Sequence, residues 1–277
     1  MLDPSPQYQF IELNEVASTN SFLAEYRPPQ STEFTLVTAE YQTAGRGQTG
    51  NSWESAPGQN LLFSLLLHPT FLPPTYLFLL SEAMALSIRE AITTFLTHPK
   101  FPLSEQISAV SNRPTVSVKW PNDIYVDDRK IAGILIENEL CGQHIGRCII
   151  GCGININQAV FHSDAPNPVS LRQLLGHDTP RPLVLDAIFT HFRRIYTDLS
   201  TTFKATSPIP ALHTDYLSAL YRRSGLHPFR DKTSPTPFLA EIADVEPSGH
   251  LLLRDTTGQL RRYAFKEVSF VLSEQEE

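Results

Sequence analysis

The sequence predicts an α+β protein in two parts: a larger mixed-sheet domain over residues 1–224 and a small antiparallel β-barrel over residues 225–277. Three observations carry this reading. Apolar runs of strand length, such as Leu61–Leu67 and Val116–Lys119, stop at proline, glycine or asparagine. Between them lie stripes at helical spacing, first Leu80, Met84, Ile88, Ala91 and Phe95, later Val184, Ile188, Phe192, Ile195 and Leu199. After Gly225 the helical pattern stops, and short β runs at 238–245, 251–253, 260–265 and 268–272 alternate with turns at Pro247-Ser248-Gly249 and Thr257-Gly258.

Composition narrows the class. A chain of 277 residues with 41% hydrophobic and 18% charged residues has the make-up of an ordinary globular protein of about two domains. A formal net charge of −7 argues against a broad nucleic-acid footprint. No apolar run reaches the roughly 20 residues of a membrane span. The start, MLDPSPQYQF, has neither a basic segment nor an apolar core, so no secretory signal is expected. Three cysteines do not make a disulfide framework, and the cytoplasm is the expected compartment.

In chain order, 10–13 is a short strand. Ser18-Thr19-Asn20 then offers cap residues for a short helix carrying Phe22, Leu23 and Tyr26, which Pro28-Pro29 ends. A β-prone run with Phe34, Leu36 and Val37 leads into YQTAGRGQTGNSW (41–53). There Gly45, Gly47 and Gly50 surround one cation, Arg46. Glycines this close allow positive φ and let backbone N–H groups approach an anion. The spacing matches a dinucleotide fingerprint and nearly matches a Walker A loop. Neither suits the context: Asn51 stands where the lysine belongs, and Asn51-Ser52-Trp53 runs into Pro57-Gly58 instead of a helix. The loop by itself points to an anionic ligand, with a glycine-rich surface hairpin as the alternative.

Residues 60–67 are apolar on both alternations, as in a strand covered on two faces. The polar stretch 98–114, with three prolines, predicts a long loop without an assigned role. VSVKWPND (116–123) is a half-buried strand stopping at Pro121, and Asp127-Asp128 turns the chain into 129–137. Gly142-Gln143 predicts a hairpin joining 131–140 to 145–150. Cys141, His144, Cys148 and Cys152 lack the spacing of a zinc ribbon or finger, and the cysteines fit better as small buried hydrophobes. Ser170 and Gln173 form a capping box for a helix ending at Gly176, and a third helix is expected over 209–223.

AGRG followed by a tryptophan, then KWPND (119–123), RKIAGIL (129–135) and GCGININ (151–157), in this order and at domain-scale spacing, resemble the bacterial biotin protein ligases. The resemblance runs from about Ser18 to the C-terminus. It implies a biotin/lipoate ligase-type catalytic domain, class II synthetase-like, with an SH3-like C-terminal barrel. It also implies ATP-dependent activation of biotin to biotinyl-5'-AMP and transfer to a lysine of a biotin carboxyl carrier protein. ATP, biotin and Mg²⁺ are the implied ligands, the metal arriving with ATP and not through a dedicated residue cluster.

Carried over residue by residue, Lys119 and Arg46 are the implied catalytic pair. Ser18, Thr19, Asn20, Gln42, Gly45, Arg46, Gly47, Gln48, Lys119, Gly133 and Gly151 would meet biotin. Arg46, Asn51, Trp53, Lys119, Arg129, Lys130, Gly153 and Asn155 would meet the nucleotide. Relatives often carry basic residues after Gly-Arg-Gly, where this chain has Gln48, Thr49 and Asn51, and Lys266 stands where the barrel usually has glycine. A lipoate-type ligase is disfavoured because no Arg-Arg-x-Ser-Gly-Gly-Gly stretch is present. A non-catalytic nucleotide-binding module would not need Lys119. With about seven residues before Tyr8, a DNA-binding repressor is not expected either. A monomer or a homodimer fits the sequence equally.

Overall fold

Strand β3 (Leu61–Leu67) is buried at every position, which requires cover on both faces. The structure, a computed structural model, describes residues 7–28, 32–48, 50–98, 113–142, 144–163, 167–205, 211–234 and 236–271. Around β3 lie β1 (Gln7–Val16), β2 (Thr32–Gln42), β4 (Val116–Lys119), β5 (Asp123–Val126), β6 (Arg129–Cys141) and β7 (His144–Ile154). Their order in the sheet is β1-β2-β3-β7-β6-β5-β4. Only β1 and β2 are parallel, joined through helix α1 (Thr19–Glu25); the other neighbours are antiparallel.

Alternation along β3 explains the two-sided burial. Leu66 meets Val37, Ile149 and Leu23 of α1 on one face. Leu65 and Leu67 enter the larger core on the other face, beneath α2 (Phe78–Thr97) and α4 (Arg181–Ala205). The predicted stripes supply that core: Leu80, Met84, Ile88, Ala91, Phe95, Val184, Ile188, Phe192 and Leu199 are buried, and Ile195 packs against them. Helix α3 (Leu171–Leu175) opens with the predicted capping box and ends at Gly176, whose φ of 80° is the left-handed conformation.

The expected helix over 209–223 is shorter here. Helix α5 (Ala211–Ser218) stops at Ser218 because Ala219 and Tyr221 exchange backbone hydrogen bonds with Val118, each 2.8 Å, and cover the open edge of β4. β1 is longer than 10–13, its pairing with β2 continuing to Gln42. Most of the predicted 98–114 loop, residues 99–112, lies outside the described residues.

The second sheet holds β8 (His227–Asp231), β9 (Phe238–Val245), β10 (Leu251–Asp255), β11 (Leu260–Tyr263) and β12 (Val268–Phe270), in the order β11-β10-β9-β8-β12. β8 carries no alternation that the sequence reading detected. This sheet continues the main core through Phe229, Ile242, Val245 and Leu251. The Trp120 indole N–H donates to the Gly249 carbonyl at 3.0 Å. Gly249 has a φ of 87°, and a Cβ there would lie 2.8 Å from the Phe78 ring, so both turn and contact require glycine.

Candidate functional site

Two adjoining cavities open where the end of β2, the start of α1 and the middle of β6 and β7 meet. The first, about 160 Å³, is walled by Ser18, Thr19, Asn20 and Gln42, with Gly133 and Gly151 beneath. Ser18 sits at the helix N-cap but makes no side-chain capping bond, so its hydroxyl is not committed to α1 as the capping alternative expects. Thr19 donates from both its backbone N–H (2.8 Å) and its hydroxyl (3.0 Å) to Gln42 Oε1. The Ser64 hydroxyl lies 2.7 Å from Thr19 Oγ1 and 2.6 Å from Asn20 Oδ1; with one proton, it donates to one of them at a time. Asn20 Nδ2 donates to Glu137 Oε2 at 2.8 Å and to the Leu135 carbonyl at 3.3 Å. These buried groups hold one another in place, a polar wall prepared before any ligand arrives.

Residues 45–48 and 51–53 pair over this cavity. Trp53 N–H donates to Gly45 O (3.0 Å), Gly47 N–H to Asn51 O (2.9 Å) and Asn51 N–H to Gln48 O (2.8 Å). The expectation that backbone N–H groups here cradle an anion is therefore corrected for Gly47: its amide is bonded to Asn51 O. The glycines of β6 and β7 have a specific cause. A Cβ on Gly151 would lie 2.0 Å from Asn20 Oδ1, and one on Gly153 would lie 2.3 Å from Trp53 Cε2. The Trp53 indole lies over Gly153 and Gly133, and its buried Nε1 has no hydrogen-bond partner among the described residues.

The second cavity, about 680 Å³, includes Lys119, Asp123, Tyr125, Lys130 and Asn155 in its lining. Lys119 Nζ donates to the Tyr125 hydroxyl at 2.9 Å. Burial pushes the Lys119 ammonium down to about 8, Lys130 and Arg222 adding to the fall and Asp123 opposing it. The same burial pushes the Tyr125 phenol up. Lys130 pairs with Asp123 at 2.7 Å. The Arg46 guanidinium makes a two-pronged contact with Glu137 at 3.1 and 2.8 Å. That pair is about two-fifths exposed, so it holds Arg46 only weakly.

Most of the expected residues converge. Ser18, Thr19, Asn20, Gln42, Arg46, Gly47, Gln48, Gly133, Gly151 and Gly153 line the first cavity. Asn51, Trp53 and Lys130 line both. Lys119, expected against both ligands, lines only the second, while Pro121, Asn122 and Asp123 just after it line the first. Gly45 lines neither, since its Cα faces the Trp53 carbonyl, 2.6 Å from where a Cβ would be. Arg129, at the first position of β6, also lines neither. Asn155 reaches the second cavity, but its amide nitrogen already donates to the Val169 carbonyl at 3.1 Å. Sequence reasoning passed over Ser64, Asp123, Tyr125 and Glu137. Ser64 had a signal, as the one polar residue in an otherwise apolar strand.

Among the described residues, no group of three or more His, Cys, Asp or Glu could hold a metal ion. Cys148 and Cys152 are buried, and burial pushes their thiols up, while Cys141 is exposed. Among the described residues, no helix is long and apolar enough to cross a membrane.

The family model described as the Biotin/lipoate A/B protein ligase family matches residues 13–155. The bifunctional ligase/repressor BirA of Bacillus spizizenii is 29% identical over 254 residues, covering 90% of this chain and 70% of that protein. The biotin–[acetyl-CoA-carboxylase] ligase of Paracoccus denitrificans is 26% identical over 227 residues, covering 80% of this chain and 85% of that protein. Among solved structures, a biotin protein ligase from Aquifex aeolicus in complex with biotin and ATP superposes with a TM-score of 0.70 at 25% identity. The match covers 96% of this chain and 99% of that one.

Proposed function

This chain belongs to the biotin/lipoate A/B protein ligase family, and on that premise we propose that it is a biotin protein ligase. It activates biotin with ATP and transfers the biotinyl group to a lysine of a biotin carboxyl carrier domain. The observation that carries the reading is the junction of the two cavities at Trp53, Asp123 and Lys130. A ligand seated in the first against Ser18, Thr19, Asn20 and Gln42 can direct a carboxylate into the second.

In the first step the biotin carboxylate oxygen attacks the α-phosphorus of ATP, and the bond to the bridging oxygen of pyrophosphate breaks. One anion approaches another, so the barrier is lowered by positioned cations. Lys119 is the cation of this reading, pairing with the carboxylate and the α-phosphate as they meet. Lys130 exchanges Asp123 for a phosphate, and Arg46 exchanges Glu137 for the adenylate. In the second step a carrier lysine amine attacks the acyl carbon and AMP leaves. Residues 1–224 carry both cavities in this assignment, and Phe270 of the 225–277 part lies against Lys119.

Mg²⁺ binds protein through one or two carboxylates together with substrate phosphates. The second cavity offers Asp123 and Glu54, the latter a carboxylate whose pKa hydrogen bonds from Ser163, His162 and Gln158 hold down against its burial. Of the two, Asp123 would hold a metal that arrives with the nucleotide, where it would neutralise phosphate charge, whereas both Glu54 oxygens already accept hydrogen bonds from Gln158, His162 and Ser163.

The named relatives support biotin over lipoate as the acid. The test is exchange of labelled pyrophosphate into ATP with biotin, with lipoate and with neither. Exchange dependent on biotin alone is expected. Exchange equally supported by lipoate, or by no acid, would overturn the assignment.

A further inference from the structure

Lys119 ends β4 beside two aromatic rings from segments far apart in the chain. Its Nζ lies 4.7 Å from the ring centroid of Tyr125 on β5 and 5.6 Å from that of Phe270 on β12 of the second sheet. Tyr221, in the segment that covers β4, packs against both rings, its own ring 5.4 Å from Tyr125 and 5.9 Å from Phe270. The wall is itself held in place. The Tyr221 hydroxyl donates to the Asp128 carboxylate. Arg222 lies over the Tyr221 ring at 5.1 Å and donates to the Val271 carbonyl at 2.8 Å. Phe229 packs behind Phe270 at 4.9 Å.

Two rings beside one ammonium do a job that a carboxylate would not. Ring faces attract a cation but supply no counter-charge, so the lysine stays ordered and poorly hydrated and can still turn to an anion. We propose that Tyr125 and Phe270, braced by Tyr221, form an aromatic box that positions Lys119, and that Phe270 thereby makes the second sheet part of the activation step. The three are positioning residues, and the inference rests on the assignment of Lys119 to the reaction. The charged groups facing the box are Asp123, Lys130 and Arg222, with Asp128 bound to Tyr221. Burial outweighs them and sets the direction of the Lys119 shift.

The variants separate water exclusion from ring attraction. Phe270→Ala admits water to one side of the ammonium and should move the alkaline limb of the pH profile for biotin-dependent pyrophosphate exchange upward. Tyr125→Phe removes the oxygen that accepts from Nζ but keeps the ring, and should move the limb downward. A shift of half a pH unit, about a threefold change in proton affinity, is the effect expected in each direction. The titration of Lys119 is read independently by NMR of lysine labelled at Cε, the chain having six lysines, with Lys119→Arg giving the assignment. Simple loosening of the fold would lower rates at every pH and leave the limb in place. If Phe270→Ala fails to fold, Phe270→Leu keeps apolar cover without the ring face and should move the limb down. Unmoved limbs beside an inactive Lys119→Ala would refute the box and leave the lysine's role intact. A folded Lys119→Ala that retains exchange would refute that role, and the box with it.

Discussion

Replacing Gly151 by alanine tests whether the glycines of β7 are there for the ligand walls. The strand cannot retreat, because Gly151 is paired with Ser64 on one side and Leu135 on the other. The new Cβ would stand 2.0 Å from Asn20 Oδ1 and 2.7 Å from its Cγ, so Asn20 must swing away by about 1 Å or more. It then gives up the Ser64 contact at 2.6 Å and its bond to the Glu137 carboxylate at 2.8 Å. A hydrogen bond to a charged group contributes about 1.5–3 kcal/mol, so the biotin KM should rise by about 10-fold to roughly 150-fold. Asn20 lines the first cavity only, so the ATP KM should stay within about twofold of wild type. Gly153→Ala is the companion. Its Cβ lifts Trp53, which lines both cavities, and both KM values should rise. Pyrophosphate exchange with each substrate varied in turn, beside a melting curve, gives the answer. A normal biotin KM in folded Gly151→Ala, or an equal rise in both constants, would refute this account of the wall.

Lys119→Ala should lose about 10²–10³ in exchange rate with little change in Tm, as expected of a positioned cation. Arg46→Gly should release biotinyl-5'-AMP that labels a bystander protein; equal bystander labelling at equal adenylate production would clear Arg46 of that duty. Buried Glu82 contacts His213 Nδ1 at 2.7 Å, and His213 Nε2 lies 3.4 Å from Asp244 of β9. The hydrogen bond to Glu82 raises the His213 pKa and burial raises that of Glu82, so both groups bind protons more tightly when folded. Both contributions to stability are present at low pH and are lost as pH rises, that of Glu82 from about 4.5 upward and that of His213 from about 6.5 upward, each through its folded value. Melting curves should show wild type losing Tm as pH rises above about 6.5 and His213→Gln losing less over the same range; parallel curves would exclude the linkage.

Much of this was legible in the sequence because it is local. Helical stripes, the Ser170 capping box and the strand-length runs depend on neighbours within one turn or one pleat. The motif residues also came together as expected, since Gly151, Gly153 and Gly133 lie on adjacent central strands. What could not be read off depends on pairings distant in the chain. Nothing near Gly45 reveals that Trp53 O fills its open side, and nothing near Lys119 reveals Phe270. Helix α5 stopped early for the same reason: residues 219–221 have ordinary helix-forming neighbours, but an open strand edge offered their backbone a better partner. Arg129 lines neither cavity, since charge and motif membership do not fix which way a strand residue faces.

The cover over β4 has a consequence for how the protein is made. Val118 leaves the ribosome long before Ala219 and Tyr221, and until they arrive the sheet ends in a short apolar strand with free N–H and C=O groups. During synthesis that edge is open to any strand that reaches it, including the same edge on a neighbouring nascent chain. Completion of the main sheet thus waits on the segment that leads into the second one. A chain stopped after α5 begins but before Tyr221 should be captured by chaperones or aggregate, although every strand of the seven has already been made.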